Sequence, residues 1–254
     1  MSTIREDCTT KLDIYFCLSK KISRLFYIFA PMINEKPNKL VIFDLDGTLL
    51  DTIGDLAEAC NHMLALRGLG LHTREEYAQM VGNGILNLVK RALPEEVRTP
   101  DYVEAARQDF LDYYVAHIDC YTRPYEGVYE VLSTLQREGW TMAVASNKFD
   151  SGTKYLVAKL FAETPFKAIY GNREGFPLKP DKALLDIIME ECGASCETTV
   201  MVGDSGVDMQ TAKNAGVRSV GCTWGFRSRE ELEEYGADHI IDRPLELLDI
   251  FNQL

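Results

Sequence analysis

From about residue 125 onward the chain alternates short runs rich in apolar and β-branched residues with segments of helical spacing, and that alternation restricts the fold more than any other feature. The runs are Thr141-Met142-Ala143-Val144-Ala145, Ala168-Ile169-Tyr170, Thr199-Val200-Met201-Val202, Arg218-Ser219-Val220-Gly221-Cys222 and His239-Ile240-Ile241. Helices are expected over 127–138, 151–160, 181–191, 207–215 and 228–235, with a last one from Pro244. Strands of this kind are buried on both faces, and repeated strand–helix–strand units pack as a mostly parallel sheet with helices on either side. Ligands of such folds lie beyond the carboxyl ends of the strands. The polar residues that end each run are therefore the candidates for a site.

One more run precedes these. Leu40-Val41-Ile42-Phe43 leads into Asp44-Leu45-Asp46-Gly47-Thr48. Side chains along a strand alternate faces, so carboxylates two residues apart start out on the same side. Two close carboxylates repel unless a cation or a proton sits between them. A divalent metal is the expected agent, with Gly47 giving a tight turn and Thr48 a hydroxyl nearby. Three further clusters fall at expected strand ends. Ser146-Asn147-Lys148 follows the strand 141–145 and supplies short donors suited to phosphoryl oxygens. Lys179-Pro180 places a cation before a helix, where it can neutralise a phosphoryl group or an acidic cluster. Gly203-Asp204-Ser205-Gly206-Val207-Asp208 puts one carboxylate at a strand exit as a hard oxygen ligand, and a second on the first helical turn.

Between the first two clusters the pattern is helical. Ile53, Leu56, Cys60, Met63, Leu64 and Leu66 have near-helical spacing, and Thr73-Arg74-Glu75-Glu76 has the form of a capping box. Val81-Gly82-Asn83-Gly84 breaks the chain before a helix over 85–92, and Pro100 starts a longer one to about Ile118. A chain of 254 residues, 46% of them apolar, is long enough for a large core with a smaller insert. Its formal charge of -12 argues against nucleic acid and anionic membrane as partners, though a local metal still permits a phosphorylated substrate. Seven scattered cysteines fit reduced thiols in the cytoplasm rather than a disulfide framework, and Cys192 with Cys196 lacks the second pair a zinc site needs. Residues 1–38 do not match the rest. Lys20, Lys21 and Arg24 interrupt their apolar pieces, so no run reaches the roughly 20 residues of a membrane span. A disordered tail or an over-extended start is expected there, with a basic interfacial helix as the alternative.

Asp44-x-Asp46-Gly-Thr48, Ser146-Asn147-Lys148, Lys179-Pro180 and Gly203-Asp204-Ser-x-x-Asp208 together resemble the four motifs of the haloacid dehalogenase-like hydrolases. The likeness covers about residues 39–254. Pro124-Tyr125-Glu126-Gly127 and Trp224-Gly225-Phe226 resemble its phosphoglycolate phosphatase-like branch. The resemblance implies a Rossmann-like doubly wound parallel sheet over 39–53 and 125–254, with a helical cap of the first subclass over 54–124. It implies a magnesium-dependent phosphatase for a small phosphorylated metabolite. Asp44 would be the nucleophile and Asp46 the acid and base. Asp44, the backbone carbonyl of Asp46, and Asp204 would hold Mg2+. Thr48, Ser146, Asn147, Asn83 and Gly84 would contact substrate, Lys179 would hold the transferring group, and Asp208 would support the metal ligands from behind.

Other readings remain at this point. A phosphosugar mutase or a pyrophosphatase would use the same core, although Thr48 resembles the phosphatases more than the mutases. A phosphonate-cleaving relative would lack Asp46. Outside enzymes, a phospho-acceptor receiver module also combines aspartates, a hydroxyl and a lysine, at about half this length. The cap residues His62, Arg67, Arg74 and Arg91 could meet an anionic tail, or simply be solvated helix residues.

Overall fold

A computed structural model describes residues 38–252, so the expectations for the N-terminal segment fall, but for Asn38, outside the described residues. Six strands form one sheet: β1 (Leu40–Phe43), β4 (Thr141–Phe149), β5 (Phe166–Asn172), β6 (Thr199–Gly203), β7 (Arg218–Cys222) and β8 (His239–Ile241). Their spatial order is β5-β4-β1-β6-β7-β8, and every pairing is parallel. β1 lies at the centre, and its alternation divides the core. Leu40 and Ile42 join Ala143, Ala145 and Met201 on one face, under Leu184, Leu185 and Ile188 of helix α7 (Ala183–Cys192) and Ala212 of α8 (Gly206–Ala215). Val41 and Phe43 face the other way, toward Val131 and Leu135 of α5 (Val128–Arg137), Leu156 of α6 (Asp150–Leu160) and Phe251 of α10 (Glu246–Phe251). A last short helix, α9 (Arg229–Glu234), packs between α8 and the edge of the sheet.

The strand expected over 141–145 is longer than its sequence suggests. It runs to Phe149, and Ser146, Asn147 and Lys148 lie inside it. Ala145 pairs with Tyr170 and Phe149 with Asn172, so three residues of β4 stand opposite Gly171 alone. This is a bulge, which bends a strand and re-aims its side chains. Gly171 makes it possible: a Cβ there would lie 2.5 Å from the Lys148 carbonyl oxygen and 2.6 Å from the Thr153 hydroxyl.

The helical insert consists of α1 (Ile53–Leu66), α2 (Arg74–Met80), α3 (Ile85–Ala92) and α4 (Pro100–His117). Thr73 and Glu76 make both bonds of the capping box, at 3.2 and 2.7 Å. α4 starts with Pro100 in its first turn and buries Val103, Ala106, Phe110 and Tyr114 on one stripe. A two-stranded ribbon absent from the sequence reading closes the insert's base: Leu50 of β2 (Leu50–Asp51) opposes Pro124 of β3 (Arg123–Pro124), and Asp51 opposes Arg123. Beside it the buried carboxylate of Asp55 accepts from the Tyr121 and Thr122 amides at 2.9 and 2.8 Å and from the Thr122 hydroxyl at 2.6 Å. Both ends of the insert are thereby tied to one side chain. Among the described residues no helix is long and apolar enough to cross a membrane.

Candidate active site

The parallel sheet delivers Asp44 and Asp204 to one edge, just past the carboxyl ends of β1 and β6, and the bulge of β4 brings Ser146 beside them. Asp44 is 9% exposed. Its Oδ1 accepts from its neighbour's amide, Leu45 N, at 2.7 Å and pairs with Lys179 Nζ at 2.9 Å. The same ammonium donates to Asp208 Oδ1 at 2.7 Å and to the Ala145 carbonyl at 2.9 Å. An ammonium has three donors, and all three are used. Burial opposes the charge on Lys179, yet Asp208 and Asp44 prevail and hold its pKa above the usual lysine range.

Asp208 is fully buried and spends its other oxygen on Ser205, accepting from the hydroxyl at 2.6 Å and the amide at 3.2 Å to cap α8. Asn147 clasps the Lys179 backbone, donating to its carbonyl at 3.0 Å and accepting from its amide at 2.9 Å. The amide expected to meet substrate is thus committed to placing the lysine. Thr48 also departs from expectation. Its hydroxyl is buried against Asp204 at 3.3 Å and does not line the cavity, while its carbonyl accepts from Trp224 Nε1 at 3.0 Å. The Asp46–Leu50 turn folds it inward.

Asp204 is 3% exposed and accepts from the Phe226 amide at 2.7 Å. Among the described residues no ammonium or guanidinium forms an ion pair with it. A Cβ on Gly47 or on Gly225 would come within 2.3 Å of its side chain, so the backbone closes on this carboxylate from two directions. Burial, then Asp208 and Asp44, push the Asp204 pKa well above the carboxylate range. Burial likewise takes Asp44 up to about 7 against the pull of Lys179, with Asp208 adding to the rise. Oxygens of Asp44, Asp204 and Asp208 lie within 4.8 Å of one another. Three buried acids with one lysine among them make a site that a hard cation would neutralise. Asp208 has both oxygens engaged, which leaves Asp44 and Asp204 as the carboxylates suited to hold it.

Asp46 faces a different cation. Lys148 Nζ reaches its two oxygens at 3.1 and 3.3 Å and also donates to the Tyr114 hydroxyl at 2.5 Å. Lys148 was visible in sequence only as the tail of Ser146-Asn147-Lys148.

Asp44, Asp46, Ser146, Lys148, Lys179 and Asp204 surround a cavity of about 560 Å³ that the insert roofs with residues 81–85, Leu88 and Tyr114. Gly82, Asn83 and Gly84 have φ of 108, 59 and 83°, three left-handed residues in succession. Glycine accepts this freely, and asparagine better than most side chains. The guanidinium of Arg227, just past Trp224-Gly225-Phe226, donates to the carbonyls of Ala78 and Val81 and pins this loop over the site. Arg227 carried no signal in sequence. The four insert side chains considered from sequence are engaged elsewhere and do not line the cavity. His62 stacks on Tyr113, Arg67 pairs with Asp109, Arg74 lies over Tyr121, and Arg91 bonds the Met80 carbonyl.

The family model described as haloacid dehalogenase-like hydrolase matches residues 41–222. A phosphoglycolate phosphatase of Mesorhizobium japonicum is 34% identical over 196 residues, spanning 76% of this chain and 86% of its own. One from Agrobacterium fabrum is 35% identical, with 83% and 91% covered. A crystal structure from Lactobacillus delbrueckii subsp. bulgaricus superposes with a TM-score of 0.80 at 30% identity, covering 84% of this chain and 98% of that one. Another, of a predicted phosphoglycolate phosphatase from Haemophilus somnus, gives 0.78 at 27% identity, with the same coverage. With its motifs gathered at one sheet edge and these similarities along most of its length, the chain belongs to the haloacid dehalogenase-like hydrolases, as a hydrolase of their phosphoglycolate phosphatase-like branch.

Proposed function

We propose that this protein is a magnesium-dependent phosphatase that cleaves a small phosphorylated metabolite, phosphoglycolate or a close analogue, through an aspartyl phosphate. The observation that carries the reading is the separate tethering of two aspartates two residues apart. Asp44 is fixed through Oδ1 by Leu45 N and Lys179, whereas Asp46 rests on Lys148. A fixed carboxylate suits a nucleophile, and a second carboxylate anchored separately, two residues on, is placed to pass a proton.

Asp44 attacks phosphorus, forming an oxygen–phosphorus bond as the ester bond breaks. Asp46 gives its proton to the departing alkoxide. Water then attacks the aspartyl phosphate while Asp46 takes up a proton, and phosphate leaves as the Asp44 carboxylate is restored. Ser146 would hold a transferring oxygen, while Lys179, its three donors spent on Asp44, Asp208 and the Ala145 carbonyl, would fix the nucleophile and lend its charge to the phosphoryl group as charge redistributes. Mg2+ would be held by Asp44, the Asp46 carbonyl and Asp204, and supplies charge neutralisation of the phosphoryl group when bound. The buried, cation-poor setting of Asp204 fits it.

The substrate class is supported by the names of the relatives and by a roofed cavity sized for a small molecule. The left-handed run Gly82–Gly84 lines that space, where Asn83 and Gly84 would meet the non-transferring end. The scattered cysteines support a reducing, cytoplasmic setting. Phosphate release from a panel of phosphorylated metabolites tests the reading. Wild-type protein should turn over phosphoglycolate with Mg2+ and stop on chelation, and Asp44→Asn should fold but release no phosphate above background. Near wild-type release by Asp44→Asn would overturn the assignment of the nucleophile.

A further inference from the structure

We propose that Tyr114 and Lys148 form a positioning pair through which the seated helical insert orients Asp46 toward the leaving group. The inference rests on the phosphatase reading, which pairs Lys148 with Asp46, and adds to it a role for Tyr114 and for the seating of the insert. Lys148 Nζ lies between the core and the insert: 3.1 and 3.3 Å from the Asp46 oxygens on one side, 2.5 Å from Tyr114 Oη on the other. Lys148 is 5% exposed and Tyr114 fully buried. A buried ammonium is costly unless its donors find acceptors, and these three oxygens supply them. Tyr114 cannot readily move its hydroxyl. Its ring stacks on Phe110 with centroids 5.1 Å apart and meets the edge of Phe149 at 6.2 Å. Lys148 is equally constrained, since it leaves the β4 bulge at its last residue.

The pair comes from two different parts of the chain. Tyr114 belongs to α4 of the insert and Lys148 to the central sheet, and their bond converges on the acid rather than on the nucleophile. Lifting the insert would take away Tyr114 Oη and leave a long, flexible side chain to hold Asp46 alone. Seating it fixes lysine and aspartate together. Proton donation is sensitive to such placement, because acid and ester oxygen must come within hydrogen-bond reach.

A buried lysine that merely fastened insert to core would affect all substrates alike. A positioning role affects them according to how much each leaving group needs a proton. An alkoxide needs one, and a nitrophenolate needs almost none. The experiment therefore compares kcat/KM, which reports the steps through ester cleavage, on 2-phosphoglycolate and on 4-nitrophenyl phosphate. For Lys148→Met a loss of about 100-fold is expected on the alkyl ester and about tenfold or less on the aryl ester, in line with the worth of general acid catalysis. Tyr114→Phe keeps the packed ring and should lose about tenfold on the alkyl ester, mostly in kcat, with little change on the aryl one. Lys148→Arg should recover part of the alkyl activity. Equal losses on both esters, or no loss on either, would overturn the proposal. Should Lys148→Met fail to fold, Tyr114→Phe decides by the same comparison. Wild-type protein that hydrolyses neither ester would overturn the phosphatase reading and this inference with it, an outcome distinct from equal losses in the variants.

Discussion

Gly171→Ala is the substitution whose consequence the structure specifies most fully. The residue is not held at a positive φ, so alanine meets no backbone penalty of its own. The added methyl would lie 2.5 Å from Lys148 O, 2.6 Å from Thr153 Oγ1 and 2.7 Å from Asp150 Cα. Carbon normally approaches such atoms at about 3.5 Å, so roughly 1 Å must be found. Two of the three obstructing atoms are backbone, and the Thr153 hydroxyl is itself bonded to the Lys148 and Phe149 carbonyls at 3.3 and 3.2 Å. Overpacking of this kind costs about 1–3 kcal/mol, and a backbone obstruction points to the upper end. About 3 kcal/mol would lower the urea midpoint by about 1 M or more. The displacement falls on the bulge that carries Ser146 and Lys148, and misplacement of reacting groups by about 1 Å can cost about 100-fold in rate. Urea unfolding and phosphate release on one preparation provide the assay. Gly70→Ala is the control: no atom lies within 4 Å and φ is not positive, so it should be neutral or stabilising by up to about 1 kcal/mol. A Gly171→Ala protein with an unchanged midpoint and full kcat would refute the reasoning, because the bulge would then tolerate a side chain opposite it.

Other perturbations address the remaining parts. Asp55→Ala strands the Tyr121 and Thr122 amides in a buried joint, and a loss of about 3–5 kcal/mol is expected in urea unfolding; a loss below about 1 kcal/mol would contradict the tie between the insert's two ends. Gly225→Ala drives a methyl to 2.3 Å from Asp204 Cβ, and calorimetry should show Mg2+ affinity weakened by about 10–100-fold. Unaltered affinity would mean that Asp204 is not the ligand. Arg227→Gln removes the guanidinium from the Ala78 and Val81 carbonyls, so KM should rise by about tenfold while kcat changes little. A fall in kcat at constant KM would place Arg227 in the chemistry instead of at the roof.

Local signals account for much of what the sequence revealed. The alternation of Leu40–Phe43 is enough to divide the core into its two faces, and Thr73 with Glu76 announces a helix start that the backbone obeys. Asp44 and Asp204 come together because parallel strands end at a common edge, which follows from topology, whereas Ser146 is placed by the β4 bulge and Lys179 by Asn147. What was hidden depends on distant partners. Ser146-Asn147-Lys148 reads as a polar cluster past the strand end, and only Gly171 on the adjacent strand lets it be a bulge within the strand. Lys148 gains its place from Asp46, 102 residues away, and Arg227 from carbonyls nearly 150 residues away. Thr48, a substrate contact in what the resemblance implies, has its hydroxyl turned under Asp204 by the chain reversal that follows Asp46. The β2–β3 ribbon has two residues per strand, too few to show any period.

That ribbon makes the insert a replaceable part. Asp51 and Arg123 face each other across one strand spacing, so the chain leaves and returns through a gap of about 5 Å. Any helical unit with ends that close can in principle be grafted in place of residues 53–122 without disturbing the register of the central sheet. Such chimaeras would exchange the roof of the cavity and keep its floor. One requirement would travel with every donor: a hydroxyl where Tyr114 now presents its own, or Lys148 would sit beneath the new roof with one acceptor missing.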